Sequence, residues 1–303
     1  MRMYIEPSYL KRLGKEDLPK KVVEAKKHIT NCNLCPHACG VNRMEEVGVC
    51  RANHRAIVSS HTPHLGEERV LVGQRGSGTI FFGYCNLSCV YCQNYELSAY
   101  GEGETVSNEK LARMMLALQN QYGCHNINLV TPTHFVPNIV EAICLAAQNG
   151  LKLPIVYNCG GYESVETLRL LEGVIDIYMP DFKYSSAGFG KRYSKVVDYP
   201  ERAKEAMIEM DRQVGGLKVD DRNIAYRGLL IRHMMLPGGL EDTKGVLEFT
   251  KRELSADVLV NLMSQYYPCH KAFDYKEISK RLDLMEYQEA YDYGGKLGLR
   301  LVR

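Results

Sequence analysis

The sequence predicts an α/β fold of six strand–helix units behind a short cysteine-rich segment. From about residue 77, short apolar runs alternate with amphipathic stretches, the order of an α/β barrel or a doubly wound sheet. The runs are apolar on both faces, as strands of a parallel sheet covered by helices must be. A loop carrying three cysteines leaves the end of the first run, and a barrel collects its chemistry at the C-terminal ends of its strands.

Ahead of the units, Lys20–Ile29 sets Val22, Val23, Ala25 and Ile29 among lysines, a short amphipathic helix. Gly78–Phe82 reads as the first strand, and Leu111, Met114, Met115 and Leu118 share the face of the helix behind it. Ile127–Val130 is the second strand; Pro137 opens the next helix and Gly150 stops it. Ile155–Tyr157 is the third, with Ser164 capping a helix that Gly173 ends. Ile175–Met179 is the fourth, followed by an irregular stretch and a helix through Ala203–Met210. Leu229–Leu236 is the fifth, closed by Pro237-Gly238-Gly239 ahead of a helix over Leu240–Glu253. Val258–Met263 is the sixth, and more helix follows Tyr275. These limits divide the chain into an N-terminal arm, helix and four-cysteine segment (1–76), the strand–helix region (77–270) and a helical tail packing on it (271–303). The connection from Asp181 to Arg227 carries no readable motif, and its length implies a lid, a partner surface or structure of its own.

Composition narrows the function classes. The chain has 303 residues, of which 45% are apolar, so a sizeable core can be buried. A formal charge of +2 gives no electrostatic reason to invoke nucleic acid or a membrane surface. No apolar run is long enough to span a bilayer, and Met1–Pro7 lacks a leader pattern, so a cytoplasmic location is the expectation. Seven of the eleven cysteines fall in two clusters, which in a reducing compartment suggests metal rather than disulfides. Cys124, Cys144, Cys159 and Cys269 are scattered and read as small buried apolar residues.

Cys85, Cys89 and Cys92 are spaced C-x3-C-x2-C directly after an apolar run. Three thiolates hold three irons of a [4Fe-4S] cluster, which normally takes four cysteines, and leave the fourth iron open to an outside ligand. A zinc site borrowing a ligand from elsewhere is the competing reading, but zinc sites usually pair two C-x2-C arms. With Tyr91 just before the last cysteine, the motif resembles that of radical S-adenosylmethionine (SAM) enzymes. More narrowly, residues 32–270 are similar to pyruvate formate-lyase activating enzyme homologues, the glycyl-radical-enzyme activases. That likeness rests on Cys32–Cys50, the Cys85 loop with Gln93-Asn94, Thr131-Pro132-Thr133-His134, Met179-Pro180-Asp181-Phe182-Lys183 and Ile231-Arg232-His233 with Leu236-Pro237-Gly238.

The resemblance implies a partial (β/α)6 TIM-like radical SAM barrel and an oxidoreductase chemistry. SAM chelates the open iron, an electron from the cluster cleaves it, and the 5′-deoxyadenosyl radical takes hydrogen from a substrate. An electron donor such as flavodoxin or ferredoxin is implied, and so is a protein substrate carrying a glycine; modification of a small molecule or peptide is the alternative. It also implies SAM contacts at Tyr91 by the adenine, Asn94, Thr131, Thr133 and His134 at the amino group, and Asn158 at the ribose. Asp181 and Lys183, Arg232, and Gln265 complete the set. Thr131–His134 stands where activases carry Gly-Gly-Glu, and Gln265 where they carry histidine. Adjacent strand residues face opposite ways, so of Arg232 and His233 the first is expected inside the barrel. Cys32, Cys35, Cys39 and Cys50, spaced C-x2-C-x3-C-x10-C, suit either zinc or an auxiliary iron–sulfur cluster. A non-catalytic scaffold with zinc in both clusters is the reading outside enzymes.

Overall fold

The computed structural model describes residues 5–302. Residues 1–4, which carry part of the leader reading, and Arg303 lie outside that range. Two helices lead, α1 (Ser8–Gly14) and α2 (Asp17–Thr30). They are tied to the main body by hydrogen bonds from Ser8 N to Asp176 (2.7 Å), Tyr9 Oη to Leu153 O (2.9 Å) and Lys21 Nζ to Leu170 O (2.7 Å). The chain then runs β1 (Ala56–His64), α3 (Arg69–Val72), β2 (Ser77–Phe82), α4 (Tyr95–Tyr100), β3 (Glu104–Val106), α5 (Asn108–Asn120), β4 (Ile127–Val130) and α6 (Val136–Gln148). It continues β5 (Ile155–Cys159), α7 (Val165–Leu171), β6 (Ile177–Pro180), α8 (Ala187–Phe189), α9 (Tyr199–Val214), β7 (Lys218–Val219), β8 (Ala225–Met234) and α10 (Leu240–Glu253). The last elements are β9 (Leu259–Met263), α11 (Leu284–Lys296) and β10 (Arg300–Leu301).

The sheet order is β10-β9-β8-β6-β5-β4-β2-β1-β3, parallel from β2 to β10, with β1 antiparallel to both β2 and β3. Seven parallel strands in sequence order, joined by helical crossovers, make an open α/β sheet. The strands are buried on both faces, as their composition requires: every residue of β5 and β6 is inaccessible to solvent. Helix α6 is apolar almost all round because it is covered by α1, α2 and α5. Ser107 and Ser164 cap α5 and α7 through their side-chain oxygens, and proline stands in the first turn of α6.

Four strands were invisible to the pattern, β1 and the short β3, β7 and β10. β1, in the segment assigned to the N-terminal arm, is hydrogen-bonded to β2 along most of its length. Its run Ser59-Ser60-His61-Thr62-Pro63 is too polar to show a buried-strand signal, because that stretch is half exposed. β10 adds a short parallel strand from the helical tail. The connection from Asp181 to Arg227 is structured, holding α8, a wide turn over Gly190–Ser194, α9 and β7. Of the scattered cysteines, Cys124, Cys144 and Cys159 are buried and Cys269 is half-buried.

One buried carboxyl forms no ion pair with a cation among the described residues. Glu163 is 1% exposed and accepts hydrogen bonds from Thr133 Oγ1 (2.7 Å) and Tyr157 Oη (3.0 Å). Burial pushes it up to about 7, against the pull of those hydroxyls. The folded state therefore binds this proton more tightly than the unfolded state. Its contribution is fullest below the ordinary carboxyl value and is lost as pH rises toward about 7. Glu163→Gln should abolish that trend and leave the variant more stable than the wild type at pH 8.5, by up to roughly 3 kcal/mol. Thermal unfolding of both proteins from pH 5 to 8.5 checks this; parallel curves would refute it.

Candidate active site

The three-cysteine loop leaves β2 at the C-terminal edge of the parallel sheet. Gly83 hydrogen-bonds Ile57 O of β1 through its N–H, and Tyr84, at φ 66°, turns the chain out of the strand into Cys85. Cys85, Cys89 and Cys92 border a cleft of about 380 Å³ inside the open barrel. Asn86, between the first two cysteines, is buried and donates to Tyr162 O (2.7 Å). The connection after β6 closes over the loop: Ser194 Oγ lies 2.9 Å from Cys89 Sγ, and Tyr184 Oη donates to Tyr91 Oη at 2.7 Å. Ser98 Oγ of α4 lies 3.1 Å from Cys92 Sγ, and Leu87 N donates to Cys85 Sγ at 3.4 Å.

These surroundings suit thiolates. An amide hydrogen points at Cys85 Sγ, hydroxyl groups able to donate lie against Cys89 and Cys92, and the Lys183 ammonium acts on Cys85 and Cys89. Burial pushes both thiols up, so the free thiols hold their protons at neutral pH and a metal must displace them. Among the described residues no three His, Cys, Asp or Glu side chains close on a single ion. Thiols set apart around a loop fit the separate iron corners of a cluster.

The same cleft is bordered by Tyr91, Asn94, Thr131, Asn158, Asp181, Lys183, Arg232 and Gln265. They come from the C-terminal ends of five strands, β4, β5, β6, β8 and β9, or from the cysteine loop, as a barrel site requires. Thr131 has φ 59°, a strained conformation for a β-branched residue that costs on the order of 1–3 kcal/mol. Gly161 can only be glycine: at φ 78° a Cβ there would stand 2.3 Å from Asp181 O. Asp181 and Lys183 pair at 2.6 Å. Burial alone would lower the Lys183 ammonium, but Asp181 and Cys89 outweigh it and hold it well above its ordinary value.

Thr133 and His134 do not border the cleft. Thr133 is engaged by Glu163, and the buried His134 ring donates from Nε2 to Gly83 O at 2.8 Å. Burial pushes that imidazole down to about 3, so it is neutral and serves as a strut under the loop. The structure does not bring these two residues, expected at the SAM amino group, to the cleft: both lie buried on the short helical turn over Thr133–Phe135.

Arg232 does face the interior, whereas His233 is turned outward to Phe182 O (2.6 Å) and Thr243 Oγ1 (2.9 Å). Arg232 is not free, however. Its Nη2 lies 3.0 Å from Glu67 and its Nε 3.0 Å from Glu68, both carboxylates being almost fully buried. Asn128 and Asn261 donate to the same carboxylates at 3.3 and 2.7 Å. Glu67 and His64 also border the cleft, and burial raises the Glu67 carboxyl. These acids were missed by sequence reasoning. A charged residue in a buried strand signalled that a partner existed, but Gly66-Glu67-Glu68 gave no hint that it lay inside the barrel.

The family model for the radical SAM superfamily matches residues 79–226, which contain the cysteine loop and the ends of four of the parallel strands. Across 99% of its length the chain is 34% identical to the uncharacterized protein MJ0674 of Methanocaldococcus jannaschii, of which it covers 82%. Among solved structures it is similar to Streptococcus suis SuiB bound to precursor peptide SuiA, with TM-score 0.48 and 14% identity over 72% of this chain and 46% of that one. It is also similar to native anSMEcpe with bound AdoMet, with TM-score 0.47 and 10% identity over 72% and 61% of the two chains. The chain thus spans about half the length of the SuiB structure. A three-thiol loop at the end of the first parallel strand and a family match across that loop agree: residues 79–226, which carry most of the site, match the radical SAM superfamily.

Proposed function

We propose that the protein is a radical SAM enzyme whose cluster is held by Cys85, Cys89 and Cys92. The reduced [4Fe-4S] cluster supplies one electron that splits SAM into methionine and a 5′-deoxyadenosyl radical, which leaves as 5′-deoxyadenosine after taking a substrate hydrogen atom. The observation that carries the reading is the convergence of three thiols, Asn158, Asp181 and Lys183 on one cleft. In this reading Asn158 hydrogen-bonds the ribose diol, and the Gly160-Gly161 backbone allows SAM to lie close to the strand ends. Tyr91 packs beside the adenine, its hydroxyl already held by Tyr184. Asn94, Thr131 and Gln265 supply the remaining polar contacts. The Asp181–Lys183 pair offers a balanced charge to a ligand that bears both signs. Ser194 and Tyr184 cover one side of the loop, against Cys89 and Tyr91.

For the hydrogen donor we infer a glycine of a partner enzyme, following the activase resemblance, with flavodoxin or ferredoxin as electron source in the cytoplasm. No helix among the described residues is long and apolar enough to cross a membrane. A small molecule or peptide is the second reading, favoured by the polar floor of Glu67 and Arg232, which continues the cleft past the strand ends.

Anaerobically reconstituted protein should be brown, contain acid-labile sulfide and convert SAM to 5′-deoxyadenosine with dithionite. Cys89→Ala should form none. Absence of product with an intact cluster would sink the proposal, and a colourless protein holding only zinc would favour the scaffold reading. Asn158→Ala should raise the SAM concentration for half-maximal product about tenfold while iron and sulfide contents stay unchanged. Equal SAM dependence in the two proteins would remove Asn158 from the site.

A further inference from the structure

Arg43 lies between Cys39 and Cys50 in the N-terminal segment and is 1% exposed. It forms no ion pair with a carboxylate among the described residues. Its guanidinium donates from Nη1 to His134 O and from Nη2 to Asn53 O (2.6 Å), and it stands 5.9 Å from the Phe135 ring centroid. Its Nε has no partner. A buried cation without a counter-charge costs several kcal/mol, roughly. The cysteines share its segment and are folded into one knuckle: Gly40 N donates to Cys32 O (2.9 Å), Ala38 N to Cys35 O (2.9 Å), and Cys39 Sγ lies 4.0 Å from Cys32 O. A Cβ at Gly48 would stand 3.3 Å from Cys39 Sγ and 3.5 Å from Cys50 Sγ, so these sulfurs lie on the same side of the turn. As at the Cys85 loop, no three of these side chains close on a single ion as they stand, which suits a [4Fe-4S] cluster better than one zinc ion; four thiolates around either carry a net charge of about −2.

We propose that Cys32, Cys35, Cys39 and Cys50 hold a second thiolate-bound metal centre of net negative charge, and that Arg43 is its built-in counter-cation. The segment carrying this centre grips the Cys85 loop at three points. His37 Nε2 bonds Asn86 O at 2.8 Å. Arg43 holds His134 O, whose ring holds Gly83 O. Arg51 donates to Ser98 O (2.8 Å) and Ala99 O (2.7 Å), and Ser98 lies on Cys92. Arg43 is thus a positioning residue for both sets of thiols.

Metal and sulfide counts on full-length protein, prepared anaerobically with iron, sulfide and zinc, test the site. Wild type should hold one zinc beside four irons, or eight irons in all; four irons without zinc would overturn the proposal. In Cys85→Ala/Cys89→Ala/Cys92→Ala, one zinc or four irons should remain, and a metal-free folded protein would overturn it. The role of Arg43 is read by chelator competition at the second centre. Arg43→Gln keeps donors for both carbonyls but loses the charge, and should release metal about tenfold faster than wild type or more. Arg43→Lys keeps the charge and should stay within about threefold of wild type. Gln retaining metal as well as wild type would reduce Arg43 to a hydrogen-bond strut and overturn the counter-cation assignment. Because these readouts count metal and not product, they fail or succeed independently of SAM cleavage.

Discussion

The site depends on how β2 ends. Gly83 is clamped on both sides, its N–H by Ile57 O of β1 and its carbonyl by the His134 ring. A Cβ at this residue would stand 2.8 Å from Ile57, so close approach to β1 requires glycine. Tyr84 then takes a left-handed turn, and the next residue is the first thiol. Without β1 the strand would have an open edge here, and the loop would have nothing to leave from at a fixed angle. A strand too polar to be read from the sequence is therefore what aims the cysteines.

Inside the barrel the constraint is charge. Arg232 and Lys183 are both drawn out of water, and each is met by carboxylates rather than left to a ligand. The two groups differ in balance. Asp181 offsets Lys183 one for one at the strand ends, where SAM is proposed to lie. Below them, two carboxylates face the single guanidinium of Arg232, and Glu67 responds by holding its proton more readily than usual. The cleft thus has a neutral mouth and an acidic floor, a polarity that orients whatever enters it.

Much of this was legible, and the boundary of legibility has physical causes. Parallel strands buried on both faces give strong apolar runs, so β2, β4, β5, β6, β8 and β9 were all visible, and Arg232 could be aimed inward by alternation alone. The cysteine spacing named the cofactor class because few chemistries need three thiols on one short loop. Thr133 and His134 lie off the cleft because position after a strand does not fix direction; both are buried on one short helical turn. Glu67, Glu68 and β1 failed because their identities depend on contacts distant in sequence, such as Glu68 with Asn261. No local pattern records such a pairing.

The four-cysteine segment reads differently once its tethers are known. From sequence it is a separable knuckle. In the structure its side chains reach the carbonyl of Asn86, the backbone of Ser98 and, through His134, the carbonyl of Gly83. These points bracket all three cleft cysteines, so any movement of the segment is felt at each. A rigid N-terminal segment would fix the loop before a cluster arrives, which lowers the ordering cost of binding it. A segment loosened by loss of its own metal would leave Arg43 buried without charge compensation and loosen the loop with it. On this argument the two cysteine sets are one folding unit, in which the first stabilises the geometry that the second uses.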